Sequence, residues 1–168
     1  LEGAPKKIDG DFYCGYCSSL ESLEGAPKKC DHFYCNDCPL LKSLKGAPKK
    51  CDYFYCHYCI SLETLEGAPK DCKYFTCTNC SALESLEGAP EKCIDFYCNY
   101  CSSLKSLKGI PKECTYFSCR YCGGEFTEDD IKKIIAHETS TLRDKVKSLN
   151  NNVNMLNNKV FETRLRPG

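Results

Sequence analysis

A 21-residue repeat constrains this chain more than any other feature of its sequence. Phe and Cys return at this interval, and Leu, Gly and Pro follow them at fixed distances, so that one unit reads C-x-x-F-x-C-x-x-C-x-x-L-x-x-L-x-G-A-P-K-K. A unit this short cannot bury its apolar row alone, whereas stacked units bury it continuously. The sequence therefore predicts a repeat solenoid of six units over residues 1–124.

The spacing of apolar residues within a unit predicts where its strand lies. Most intervals are three residues long, which suits turns and extended segments, but Phe and the next Cys are two apart. An interval of two is typical of a strand, because alternate side chains face the same way. The G-x-P step supplies a turn, since Gly tolerates unusual dihedral angles and Pro fixes φ. We therefore expect one short strand per coil, stacked about 4.8 Å apart in a parallel sheet.

The same spacing resembles that of leucine-rich repeats, whose pattern L-x-x-L-x-L-x-x-N/C-x-x-L-x-x-L is matched from Cys93 to Leu107. The stretch Cys101–Leu107 is similar to cysteine-containing members, and Ile110–Phe117 resembles the bacterial surface-protein subclass. The phrase L-E-G-A-P-K-K is similar to repeats of phage, giant-virus and bacterial proteins. The resemblance covers residues 1–122 and implies strands that line a concave, protein-binding face. It also implies that Cys38 and its equivalents bond to turn backbone.

The 17 Cys allow three interpretations. We favour a core of free thiols, because Cys is a small residue that is often buried. Disulfides between coils are the second, since equivalent Cα atoms would lie about 5 Å apart, although stacked side chains point the same way. The third is a zinc or iron–sulfur site. The C-x-x-C pairs at Cys35 and Cys56 have zinc spacing, and Cys30 adds a ferredoxin spacing, but the repeat period accounts for both. We expect no metal and no cofactor.

Charge and composition exclude several classes of function. The chain has 23 Lys and Arg against 23 Asp and Glu, so we expect no nucleic-acid binding driven by bulk charge. The doublets Lys28-Lys29 and Lys49-Lys50 are interpreted as solvated turn charge. No apolar run is long enough to span a bilayer, and no signal peptide is visible. With the Cys interpreted as free thiols, this favours a reducing cytoplasm or a virion.

The sequence does not predict an enzyme. The residues His32, His57 and His137 lie at unrelated positions, and no catalytic triad spacing, phosphate-binding loop or metalloprotease motif is present.

The residues that flank Phe and Cys along each strand are expected to point outward and to form a partner-binding face. Tyr is the residue that interfaces favour, because it adds a large area and a polar tip. The alternative is that these Tyr only stack on one another. We expect a protein or glycan partner at this face. Its predicted residues are Tyr34, Asn36, Tyr53, Tyr55, His57, Tyr74, Tyr97, Asn99 and Tyr116.

The repeat stops at Gly123-Gly124, and residues 125–168 are predicted to be a separate helical module. A heptad pattern over residues 139–163 predicts a coiled coil, with Val at a and Leu at d favouring a parallel dimer over a trimer. The alternative is an amphipathic helix that lies along its own solenoid. The predicted oligomerisation seam consists of Leu142, Val146, Leu149, Val153, Leu156 and Val160.

These features together predict a non-enzymatic structural or adhesive protein-interaction module, displayed in several copies by the coiled coil. The resemblance to phage and giant-virus repeats suggests a virion fibre or surface component. The alternative function is a metal-binding or redox protein that uses the repeated Cys.

Overall fold

The computed structural model of this chain describes residues 1–127, 129–136 and 147. Its first unit, Leu1–Glu128, is a β-solenoid in which parallel strands form one sheet in the order of the sequence. The predicted parallel solenoid with one strand per 21-residue coil is confirmed. The strands are β1 (Asp11–Tyr13), β2 (His32–Tyr34), β3 (Tyr53–Tyr55), β4 (Asp71–Thr76), β5 (Lys92–Tyr97) and β6 (Glu113–Ser118).

The register of the sheet places equivalent residues of successive coils side by side. Phe33 pairs with Phe54, and Phe54 pairs with Phe75. A one-residue slip would turn every inward side chain outward, so the buried row fixes this register. Each strand begins before Phe and ends one residue before the Cys that the F-x-C spacing placed within it, and β4, β5 and β6 start three residues earlier relative to Phe than β2 and β3 do.

A continuous stack of Phe rings lies at the centre of the core. Neighbouring rings from Phe12 to Phe117 have centroids 5.1–5.6 Å apart and planes within 19° of parallel. Phe33, Phe54 and their next two equivalents are fully buried, as are the Leu pairs of the same coils. Burying a side chain of this size contributes about 1.5–3 kcal/mol, and each coil repeats the gain.

The turns between coils bring backbones into close contact. Gly67 has φ of +100°, and a Cβ at this position would overlap the backbone carbonyl of Leu44 in the preceding coil. Gly3 has φ of +86°, but a Cβ there would meet nothing within 4 Å. The Gly of the G-x-P step therefore adopts a positive φ in every coil. In the inner coils its missing side chain also lets the backbones of neighbouring coils approach each other closely.

The second unit, Asp129–Gly168, is described only in part. Residues 129–136 are helical. All six residues of the predicted oligomerisation seam lie outside the described residues, so the coiled coil stays a prediction. No helix within the described part of the chain has the length and apolar character needed to cross a membrane.

The Phe stack generates a stability prediction. Phe75→Ala should lower the free energy of unfolding by about 3–5 kcal/mol, because it empties a layer between Phe54 and Phe96. Phe12→Ala should cost less, because Phe12 is only partly buried and stacks on Phe33 alone among the described rings. Urea unfolding followed by circular dichroism measures both values, and equal losses would contradict a stacked core.

The two glycines form a matched pair for a second prediction. Gly3→Ala should cost about 1–2 kcal/mol, which is the strain of placing an L-residue at positive φ. Gly67→Ala should cost at least about 1–3 kcal/mol more, because its Cβ also displaces the Leu44 backbone. Thermal and urea unfolding of the two variants isolates the second effect, and similar losses would show that the coils separate easily.

Candidate functional site

A column of thiol donors runs through the solenoid at the last Cys of each unit. The thiol of Cys59 donates to the backbone carbonyl of Cys35 at 3.1 Å, and that of Cys101 donates to the carbonyl of Cys77 at 3.2 Å. The accepting carbonyl directly follows a strand, so the thiol supplies a donor where strand pairing ends. This is the backbone bonding that the leucine-rich-repeat resemblance implies. The donors are Cys38, Cys59, Cys80, Cys101 and Cys122.

Cysteines of the other two series also donate hydrogen bonds to backbone carbonyls. Cys56, the Cys that follows a strand, donates to the carbonyl of Thr76 in the next coil at 3.2 Å. In the leading series, Cys93 donates to the carbonyl of Asp95 at 3.1 Å, and its sulfur lies 3.8 Å from that of Cys72. Over the three series together, ten of the 17 thiols donate a hydrogen bond to a backbone carbonyl.

Burial keeps the central thiols protonated. Loss of solvation raises the pKa of Cys35 and Cys56 well above the ordinary thiol value. Because the thiolate is the nucleophile and the metal ligand, these residues are poor candidates for either role. The pKa of Cys122, in the last coil, is lowered chiefly by its interaction with the thiol of Cys101 in the coil before it. Among the described residues, no three or more His, Cys, Asp or Glu side chains converge to hold a metal ion, and all 17 Cys are unbridged.

The outer surface of the sheet carries a stack of tyrosine rings. The rings of Tyr13, Tyr34 and Tyr55 follow one another at 4.4 and 4.6 Å, with planes 5° and 2° from parallel. They occupy the strand position directly after Phe, and each points away from the core. The sheet register thus repeats one ring per coil along the solenoid.

The stack continues past two positions that lack a ring. Thr76 and Ser118 occupy the same strand position as Tyr55, and both are buried. The ring of Tyr74 leans into the first gap, 5.3 Å from Tyr55 and 5.2 Å from Tyr97. Tyr116 lies 5.4 Å from Tyr97 beside the second gap. We call the resulting row the tyrosine ribbon, which consists of Tyr13, Tyr34, Tyr55, Tyr74, Tyr97 and Tyr116.

The rings of the ribbon differ in how far their faces are covered. Tyr34 has a parallel ring on both sides, so both of its faces are covered. The rings of Tyr74, Tyr97 and Tyr116 are tilted by 36–42° against their neighbours, and Tyr13 at one end of the row is 68% exposed. The Tyr13 hydroxyl donates to Asp11 at 2.9 Å, and this bond raises the pKa of Tyr13 to about 12. Loss of solvation raises the pKa of Tyr55 and Tyr74. With raised pKa values, Tyr13, Tyr55 and Tyr74 keep their protons at neutral pH and offer hydroxyl groups that can both donate and accept hydrogen bonds.

The polar residues predicted for the same face lie beside the ribbon, with one exception. Asn36 is only 5% exposed and donates to the Asp37 carboxylate, so it does not offer a surface to a partner. The side chain of Asn99 accepts bonds from Ser118 and from the Arg120 backbone. His57 is half-buried against Tyr55 and Tyr58, and its pKa is lowered by burial. These contacts leave the aromatic residues as the main accessible features.

The sequence predicted that tyrosines share this face, but not that the row passes from the position after Phe to the position before it at Tyr74 and Tyr116. A signal was present, because the two coils with Thr76 or Ser118 after Phe are coils that carry Tyr74 or Tyr116 before it.

Comparisons with protein-family models, curated proteins and solved structures find no match to this chain.

The thiol column generates a prediction with two variants of similar size. In Cys59→Leu the buried carbonyl of Cys35 loses its donor, whereas in Cys59→Asn the amide can replace it. We expect the Leu variant to be less stable than the Asn variant by about 1 kcal/mol or more. Urea unfolding of both variants tests this, and a more stable Leu variant would show that the thiol acts only as an apolar filler.

Proposed function

We propose that this chain is a non-enzymatic interaction module that binds a protein or glycan partner along the tyrosine ribbon. The observation that carries the proposal is the ribbon itself, a row of rings held in fixed positions by strand pairing. Because Tyr loses little conformational entropy on binding and these rings are already ordered, the row suits a recognition surface. If the tyrosine rings served only to stack on one another along the sheet, their hydroxyl groups would not need to face solvent.

The orientation of the rings narrows the chemistry of the partner. Sugar rings stack their C–H faces on aromatic faces, and between Tyr13 and Tyr55 the ring faces are covered by parallel neighbours. The accessible edges and hydroxyls suit a partner rich in carbonyl, amide or hydroxyl groups, as an extended polypeptide is. A sugar ring can stack at Tyr13, whose exposed ring ends the row.

We further propose that the solenoid is of the leucine-rich-repeat type. The support is the repeat pattern from Cys93 to Leu107, together with the bonds from the last Cys of each unit to backbone. The resemblance to phage and giant-virus repeats makes a virion fibre or surface structure the setting that we propose.

We also propose that the C-terminal module oligomerises the chain. The support is the heptad spacing of Leu142, Leu149 and Leu156 at d with Val at a. Two or three copies side by side would present several ribbons at once and raise the apparent affinity for a repetitive partner.

A binding experiment tests the role of the ribbon. Fluorescently labelled protein is applied to peptide and glycan arrays, together with a Tyr34→Ser/Tyr55→Thr variant that copies the small residues found at Ser118 and Thr76. The variant should lose most of its binding. Its melting temperature should fall because ring stacking between coils is lost, but its β-type circular dichroism should persist at the assay temperature, because the buried Phe and Leu rows are unchanged. A Tyr100→Ser variant, whose ring lies outside the ribbon, is the control.

Two results would oppose the proposed function. Undiminished binding by the double variant would place the contact elsewhere. Zinc or iron in elemental analysis, in proportion to the repeats, together with loss of the fold on chelation, would favour the metal-binding or redox alternative.

The coiled coil has its own test. Leu149→Asp and Leu156→Asp together would place unpaired charges in the seam, which is costly. The double variant should be monomeric by light scattering while its β-type circular dichroism persists. If it keeps the mass of the parent, the oligomer contact lies elsewhere or the chain is already monomeric.

A further inference from the structure

Two short columns of lysines lie on the turn that precedes each strand in the first three coils. Backbone bonds hold these turns together, from the Lys28 amide to the Lys6 carbonyl at 2.8 Å and from the Lys49 amide to the Lys28 carbonyl at 3.1 Å. Parallel bridges join Lys7, Lys29 and Lys50 in the second column. We call this surface the lysine stripe. Its residues, all exposed, are Lys6, Lys7, Lys28, Lys29, Lys49 and Lys50.

The same two columns carry a different charge pattern in the last three coils. One column reads Lys70, Glu91 and Lys112, and the other reads Asp71, Lys92 and Glu113. Charge therefore alternates both along and across the columns. Lys70 bonds Glu91 at 2.6 Å and Lys92 bonds Glu113 at 2.9 Å, each between adjacent coils.

This contrast shows that the turn does not require lysine. Like charges directly opposite one another on adjacent strands are destabilising, and opposite charges are stabilising. Continuous strand pairing reaches the alternating column at Asp71, Lys92 and Glu113, whereas the lysine column makes only isolated bridges. Stability alone would favour the alternating pattern throughout.

The lysines of the stripe have few internal partners. Within the part of the chain that the structure describes, Lys7 pairs with Asp9 at 3.0 Å, and the other five form no ion pair. The chain has no net charge, so this positive surface arises from segregation of charge along the solenoid. Six ammonium groups over three coils, a length of about 10 Å, form a dense anion-binding surface.

We propose that the lysine stripe binds a linear sulfated polysaccharide that runs parallel to the solenoid axis. Acidic residues border the stripe on its strand side in all three coils, with Asp9, Asp31 and Asp52 two positions after the second lysine of each doublet. On the other side Glu2 and Glu24 precede the first two doublets, and Lys45 takes the equivalent position in the third coil, where it pairs with Glu66. A narrow positive surface matches the width of a single polymer chain. The carboxylates beside it would repel a flat anionic membrane surface.

Sulfated polysaccharide fits this surface better than nucleic acid does. Single-stranded nucleic acid is usually held by basic residues together with aromatic faces on which bases stack. The residues that flank the lysine doublets in the sequence are Pro, Ile8 and buried Cys, with Asp one position further on, and none of them is aromatic. The stripe thus offers charge without a base-stacking platform, and this surface is separate from the one proposed for the ribbon.

Heparin, a linear sulfated polysaccharide, is the probe for the experiment. Isothermal titration at low and at physiological ionic strength compares the full chain with a Lys28→Gln/Lys29→Gln/Lys49→Gln/Lys50→Gln variant. The affinity of the variant should fall at least about tenfold, and its dependence on salt should weaken, because four cationic contacts are lost. Its melting temperature should stay the same or rise, because the variant also removes repulsion between adjacent coils.

A charge-matched control separates the stripe from net charge. Replacing Lys92, Lys105, Lys108 and Lys112 by Gln lowers the net charge equally and should change heparin affinity less than about threefold. Equal losses in both variants, or no heparin binding by the parent at low ionic strength, would overturn the proposal. A single-stranded oligonucleotide that binds as tightly as heparin through the same lysines would also overturn it, in favour of nucleic acid. Retained heparin binding in the Tyr34→Ser/Tyr55→Thr variant is expected, because the two surfaces are distinct.

Discussion

In-register pairing of parallel strands is the constraint on which every other feature of this solenoid depends. Because the repeat is 21 residues long, each residue lies beside its equivalent in the next coil, as Phe54 lies beside Phe75. A single favourable contact is therefore multiplied along the chain, and so is a single unfavourable one. Phe on Phe and Tyr on Tyr become continuous stacks, whereas Lys on Lys becomes a line of repulsion.

The buried Cys show how the same constraint selects residue types. A small side chain that donates a hydrogen bond is needed where strand pairing ends, and the thiol of Cys59 meets both requirements. Its apolar character suits the dry interior, while its weak donor satisfies a carbonyl that would otherwise be unpaired. In the described structure the thiols of this chain fill two roles, packing in the core and hydrogen bonding to backbone carbonyls.

The solenoid was predictable because period and interval alone determine stacking. The spacing of Phe and Cys placed the strand, and their 21-residue return placed the next coil beside it. The tyrosine ribbon was predicted only in part, because the lean of Tyr74 over Thr76 depends on side-chain rotamers and on a vacancy in the neighbouring column. The burial of Asn36 was missed for a related reason, since alternation along a strand does not reveal where the chain turns inward.

The lysines of the first three coils were interpreted from sequence as ordinary turn charge, because a doublet viewed alone looks solvated. Their significance depends on comparing coils in register, which shows that Lys70 and its neighbours follow an alternating rule that Lys28 and Lys49 do not. The net charge of the whole chain is zero, and this value does not show the difference between the first three coils and the last three.

The equivalence of the stacked layers, in which Phe54 lies between Phe33 and Phe75, has a consequence for heredity. A change of one residue inside the stack would shift every later contact, but gain or loss of a whole repeat leaves each layer beside an equivalent layer. Unequal recombination between repeats can therefore lengthen or shorten the gene product without a folding penalty. The number of aromatic rings and of basic turns on offer to a partner then becomes a heritable trait that selection can adjust one coil at a time.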